Sequence, residues 1–451
     1  MSVSPWEPQV FTPYAAWPEV VFARVAARSP QFDPVCAAGN RPIVVGSAAG
    51  HRPPRVVASA RGELLERVSN ILAGRAAESD AGIVATHGEL RRKGIPALDP
   101  AELMSGGPAG TVDDFRHARR LWVRGRSLRT GADMHVPAGA VFLHHRPPAG
   151  CDPGPGAGST GLAAHPDPEA AVQHAAWEVL ERDLIRRSWY GLSRAPQVIP
   201  AGELPGPLAK LLDGIGVTTT VLDLPAPVGS RCVAVCLHAP DGTRQAFGAR
   251  CGPDGQGIAP LIEKAAYEAL MVRWSVHTPV AEDTWTRRQG RDAPDSAVEH
   301  ALWAYHRQDS LRLWTERAPL APRETPPPSA GPDRVGPGPR TGPDRSGTES
   351  HTVADPSGTV SHTVADPSGN GSHTVADPSG NGSHTVADPS GTAVLSSHTG
   401  QDLILVDTTC EPARGLGSAV VRVVAPGAHA LPTGPDDERH LPAAPGPHPF
   451  G

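Results

Sequence analysis

Aromatic side chains are scarce in this chain, at 4% of 451 residues, and lysine is nearly missing, with only Lys93, Lys210 and Lys264 against a large excess of arginine. The arginine bias, together with abundant Ala, Gly and Pro, points to GC-rich coding. The net charge of −6 is spread without a basic block, so nucleic acid is not an expected partner. No run approaches eighteen consecutive apolar residues, which argues against a membrane span. The opening Met-Ser-Val-Ser-Pro-Trp-Glu-Pro lacks the basic-then-apolar order of a signal peptide, and a soluble cytoplasmic protein is expected. Cys-x-x-Cys is absent from the six cysteines (Cys36, Cys151, Cys232, Cys236, Cys251, Cys410), which favours buried thiols over zinc or a redox pair. There is no P-loop, no dinucleotide glycine fingerprint and no convincing Ser-His-Asp or Cys-His set.

Glycine and proline are plentiful, at 49 and 51 residues, which hints at disordered or loop-rich parts. From about residue 318 the chain becomes Pro/Gly/Arg-rich. Ser-His-Thr-Val-Ala-Asp-Pro-Ser-Gly then recurs at Ser350, Ser361, Ser372 and Ser383, leaving a remnant at Ser397-His398-Thr399. Each repeat offers only Val and Ala to bury, too little for a solenoid. A disordered insertion is expected, with an interaction tether as the alternative.

Elsewhere the patterning alternates between helix and strand. A strand at 42–49 is expected to enter a tight turn at Gly46–Gly50, followed by a helix over 56–72. Strands are expected at 120–123 and 136–144. Asp167 and Pro168 form a good helix start, and the apolar series from Val172 to Leu184 carries that helix to Trp189. A strand pair over 217–251 turns at Asp241-Gly242. A helix over 261–274 contains Glu263 and Glu268, and strands return at 403–406 and 417–425. The fold class is therefore α/β in the mixed α+β sense, with helices packed on β-sheets.

Two of the helices echo each other. Residues 63–67 and 178–182 both read Glu-x-x-Glu-Arg, so Glu63 and Glu66 share one helix face, as do Glu178 and Glu181. Like charges at that spacing cost roughly 0.2–0.5 kcal/mol per pair. Paying it twice suggests carboxylates gathered around a cation, and all-oxygen ligands suit Mg²⁺ bridging to nucleotide phosphates. The alternative is an ordinary solvated face, because Glu63→Arg67 and Glu178→Arg182 are also favourable i,i+4 pairs.

These residues resemble the YcaO family of ATP-dependent, peptide-amide-activating enzymes. Ser59-x-x-x-Glu63-x-x-Glu66-Arg67 is similar to one family motif. Ser159-Thr160-Gly161-Leu162-Ala163-Ala164 with Glu178-x-x-Glu181-Arg182-Asp183 is similar to another, and 420–427 and Pro447-His448-Pro449-Phe450 resemble the late strand and the proline-spaced tail. The resemblance implies that Glu63, Glu66, Glu178 and Glu181 ligate Mg²⁺, and that Ser59 and Arg182 help these glutamates hold ATP. It assigns the catalytic roles to Arg67 and Arg182. It implies cyclodehydration of Cys, Ser or Thr in a ribosomally made precursor peptide, with a leader-peptide-binding partner protein and a homodimer as an option. Thioamide or amidine formation and a catalytically weak scaffold are the alternatives. The segments then read as 1–40, an N-terminal segment; 41–317, the main YcaO-like part; 318–399, the insertion; and 400–451, its C-terminal completion. Ser47-Ala48-Ala49-Gly50-His51 without lysine, Thr160, Ala170 and Met271 depart from the family pattern.

Overall fold

Three antiparallel sheets, each ending in a strand with one free edge, organise the described residues. In this computed structural model those residues are 6–29, 31–32, 43–80, 82–103, 116–154, 156–202, 204–288, 294, 296–316, 389–431 and 446–450. They belong to one compact unit, 1–320 with 388–451, and the expected repeat array at 350–388 lies outside them.

The first sheet is β1 (Gln9–Phe11), β2 (Val21–Arg28) and β3 (Ile43–Gly50), in that order. The second joins β4 (Ile83–Ala85), β5 (Arg120–Ser127), β6 (Asp133–Pro137) and β7 (Leu162–His165) to the late strands β12 (Ile404–Asp407) and β13 (Ala419–Val424), with β7 at its edge beside β13. The third runs β11-β10-β9-β8, from β8 (Gln197–Ile199), β9 (Thr218–Leu224), β10 (Ser230–His238) and β11 (Ala246–Pro253).

Four helices matter for the site: α1 (Pro53–Ser79), α2 (Pro168–Trp189), α3 (Ala259–Ser275) and α4 (Gly391–Thr399). The α1 face of Val56, Ala60, Leu64, Val68 and Ile71 packs on the first sheet. The third sheet is covered on both faces, so β10 is apolar from Cys232 to Leu237. Cys232, Ala234 and Cys236 face the α2 side, while Val233, Val235 and Leu237 face α3. The cysteines of β10 are thus buried core, as their spacing suggested.

The Asp167-Pro168 start of α2 is as expected, with the Asp167 carboxylate accepting the Glu169 N–H at 3.0 Å. Four expectations are corrected. Residues 46–50 continue β3 instead of turning, because they pair with β2 up to Gly50. The segment 217–251 holds three strands, not two. The strand expected to reach 144 stops at Pro137, since buried Asn70 takes over the backbone beyond it. Asn70 donates to Val141 O at 3.0 Å and accepts from Leu143 N at 2.7 Å.

The fourth correction falls inside the expected insertion. Residues 391–399 form α4, capped by the Ser390 hydroxyl accepting from Ala393 N at 3.2 Å and ended by Gly400 at φ 68°. Val394 and Leu395, which the earlier repeats lack, give this copy a face to bury against α2. Its His398 Nε2 lies 2.6 Å from the fully buried Asp183 carboxylate.

Candidate carboxylate site on three sheet edges

Each edge strand exposes backbone groups that its sheet cannot pair, and the glutamates of α1, α2 and α3 take them. Glu63 accepts the Ser47 N–H of β3 at 2.5 Å. Glu66 accepts from Ala164 N of β7 at 3.1 Å, and Glu178 from Gly161 N, just before β7, at 3.1 Å. Glu181 accepts from Cys251 N of β11 at 3.0 Å, and Glu268 from Ala249 N of the same strand at 3.2 Å. Helix α1 therefore bridges the edges of the first and second sheets, while α2 bridges those of the second and third. The echoed motif is the sequence trace of two helices doing the same job.

Two glycines let the helices come this close. A Cβ on Gly46 of β3 would lie 2.2 Å from Ala60 O, and one on Gly248 of β11 would lie 2.3 Å from Ala265 O. Each sits one residue before a donor strand position, Ser47 or Ala249. In the sequence Gly46 reads as part of a turn, and only the packing shows why both glycines are needed.

The expected arginines are engaged. Arg67 donates to Glu63 at 2.6 Å and to Val45 O of β3 at 2.8 Å. Arg182 lies between Glu181, at 3.6 Å, and Glu268, at 3.7 Å. Ser59 is exposed, one turn before Glu63 on α1. The loop that presents Gly161 is fixed by buried Arg422, which donates to Gly158 O at 2.7 Å and to Thr160 O. Burial lowers Arg422 to about 10, with Glu178 pulling the other way.

The glutamates differ in what they keep. Glu63 and Glu181 share their remaining oxygens with Arg67 and Arg182. Glu66 and Glu178 spend one oxygen on the backbone, and among the described residues the other has no hydrogen-bond partner. Burial and then Glu178 push Glu66 up to about 8. Burial also raises Glu178, against the pull of Arg182, and raises Glu181. Carboxylates held together against their own repulsion are stabilised by a cation. Among the described residues no three His, Cys, Asp or Glu side chains close into a preformed cage. Mg²⁺ is commonly held by one or two carboxylates plus phosphate oxygens and keeps several waters. Glu268 joins the four expected glutamates here. Sequence reasoning placed it on a helix but not in the site, because its arginine partner, Arg182, comes from another helix.

A mixed α+β fold with carboxylates gathered at three sheet edges thus defines the class. The chain belongs to the YcaO family, described as a cyclodehydratase that binds ATP and Mg²⁺, and the match covers residues 49–429. A solved heterocyclase in complex with substrate and cofactor superposes at TM-score 0.59, with 16% identity, over 94% of this chain and 50% of that one. The YcaO protein of Methanopyrus kandleri, bound with AMPPCP and Mg²⁺, superposes at 0.52, with 18% identity, over 97% and 89%. The E. coli microcin synthetase McbBCD complex with pro-MccB17 bound gives 0.55, with 14% identity, over 94% and 89%. At these identities the likeness is one of fold. A Methanothermobacter thermautotrophicus protein is 27% identical over 226 residues, 48% of this chain, and the chain spans 56% of that relative's length. No helix among the described residues is long and apolar enough to cross a membrane.

Proposed function

We propose that this chain is an ATP- and Mg²⁺-dependent cyclodehydratase. On this reading it activates backbone amides of a ribosomally made precursor peptide and converts Cys, Ser or Thr to thiazoline or oxazoline. The observation that carries the reading is the pair Glu66 and Glu178, which reach one strand segment from two helices and, among the described residues, each keep a free oxygen. Family membership and the peptide-bound microcin synthetase of the same fold support it.

Mg²⁺ held there would neutralise a triphosphate and align it for transfer to a substrate oxyanion. Glu66 and Glu178 supply the open ligands, while Glu63, Glu181 and Glu268 hold the helices to the sheet edges. Arg182, wedged between two carboxylates, stays charged and presents its guanidinium beside them. The side chain of the substrate's own Cys, Ser or Thr is the nucleophile, so the protein need not supply one. A leader-binding partner protein belongs to the proposal, as the microcin synthetase is itself a complex.

The test is mass spectrometry of the precursor peptide produced together with the chain and its partner. Loss of water at Cys, Ser or Thr supports azoline formation. Exchange of oxygen for sulfur would assign the thioamide branch instead. An unchanged peptide, with no ATP turnover in the complete complex, would make the chain a scaffold.

A further inference from the structure

Cys232 of β10 stands directly opposite Cys251 of β11, and the chemistry proposed above uses neither thiol. Both are free and both face the α2 side. The Cys251 N–H turns away from β10 and donates to Glu181 at 3.0 Å, as the Ala249 N–H turns outward to Glu268. In an antiparallel ladder an outward N–H marks a non-hydrogen-bonded pair, whose Cα atoms lie about 4.5 Å apart with the side chains at their closest. A disulfide accepts Cα separations of roughly 4.4–6.8 Å. The two thiols meet: the Cys251 thiol first, and burial second, push Cys232 well up. Cys236, on the same strand and face, is opposed by Phe247 instead.

The pair adjoins the carboxylate site. The charges of Glu181 and Arg182 both reach Cys232, and Cys251 supplies the N–H that Glu181 grips. Disulfides most often span Cα atoms roughly 5.5–6 Å apart, so closing this one moves the two backbones relative to each other. β10 is held on both sides, by β9 and β11, whereas β11 ends the sheet and is the strand that gives way. A hydrogen bond weakens with both distance and angle, so the Cys251 N–H cannot move far without loosening Glu181.

We propose that Cys232 and Cys251 form a redox modification site: a hydroperoxide converts the two thiols to a disulfide, and that bond loosens the grip of Glu181 on β11. Cys251 reacts first, since it keeps 4% exposure while Cys232 has 0%. Its sulfur takes the outer oxygen of the hydroperoxide, the O–O bond breaks, and the thiol proton leaves with the alkoxide as an alcohol (as water when the oxidant is hydrogen peroxide). The Cys232 sulfur then attacks the sulfenic acid. An S–S bond forms, the S–O bond breaks, and the hydroxyl departs as water with the Cys232 proton. The two sulfurs are oxidised and the peroxide oxygens reduced; a thiol reductant reverses the change.

The experiment treats the full chain with hydrogen peroxide and maps its cysteines by peptide mass spectrometry without reductant. A peptide pair linked through Cys232 and Cys251, two hydrogens lighter and released by dithiothreitol, is expected. Cys236→Ala should leave the link in place, and Cys251→Ala should abolish it. Hydrogen exchange at the Cys251 amide should quicken on oxidation and recover on reduction. MgATP binding, which rests on the nucleotide reading above, should weaken roughly two- to tenfold in the oxidised chain. Should Cys251→Ala fail to fold, reduced and oxidised wild type decide the matter alone. Recovery of Cys232 and Cys251 as free thiols or as sulfinic acids would overturn the site. A link that leaves Cys251 exchange and MgATP affinity unchanged would overturn its action on Glu181. A reduced chain that binds no MgATP would overturn the nucleotide reading, while mass and exchange still decide the disulfide.

Discussion

Glu66 of α1 and Glu178 of α2 grip the same short stretch of chain, at Ala164 N and Gly161 N, and among the described residues each leaves its second oxygen unbound. The first bond joins the helix to the free edge of the middle sheet. Both helices are thereby tied to one strand segment, and the charge of Glu178 is felt at Glu66. Structure and proposed chemistry are therefore carried by the same side chains, and variants at these positions should be read for both.

Raised carboxyl groups set a pH dependence. Glu66 binds its proton more tightly in the folded protein, at about 8, than its ordinary value of 4.5. Between those values the folded state holds more protons than the unfolded state, so this contribution to stability is present at low pH and lost as pH rises toward 8. Thermal melts without metal should show this contribution falling from pH 5 to pH 8. Glu66→Gln should flatten it, and Mg²⁺ with ATP should restore stability at pH 8 in wild type alone.

Gly248→Ala should act on α3 through crowding. The added Cβ meets Ala265 O and Ala269 N, both backbone. A loss of about 1–3 kcal/mol in denaturant unfolding is expected for such overpacking. Gly46→Ala should behave alike against α1. Gly242→Ala, with open space around its Cβ but φ 82°, would separate backbone strain from crowding.

The helix that follows the repeats is tied to the site helix. His398 and Arg187 both reach the Asp183 carboxylate at 2.6 Å, and the His429 N–H reaches its other oxygen at 2.8 Å. Removing one partner of such a buried acid costs roughly 1.5–3 kcal/mol, so His398→Ala should lower the unfolding midpoint. Replacing residues 321–387 by a short Gly/Ser linker should leave the midpoint unchanged. Extending the deletion through 399 should lower it sharply.

How much of this was legible in the sequence depends on how local each signal is. Asp167-Pro168 announced α2 because capping is chemistry within one turn. The paired glutamates were visible because residues three apart share a helix face. Glu268 was not singled out, since its significance depends on Arg182 and Ala249, which are distant in sequence. The 46–50 stretch was misread because a glycine permitting helix contact looks identical to one permitting a turn. Helix α4 was hidden by its kinship to the repeats, although Val394 and Leu395 distinguish it.

The central claim is that Mg²⁺ and ATP bind where the glutamates of α1 and α2 converge. Its most direct test is calorimetry of ATP with and without Mg²⁺ on wild type and on Glu178→Gln, which keeps an acceptor for Gly161 N but loses the charge. The account predicts Mg²⁺-dependent binding in wild type that is lost in the variant. Equal binding by both proteins, or binding indifferent to Mg²⁺, would contradict it.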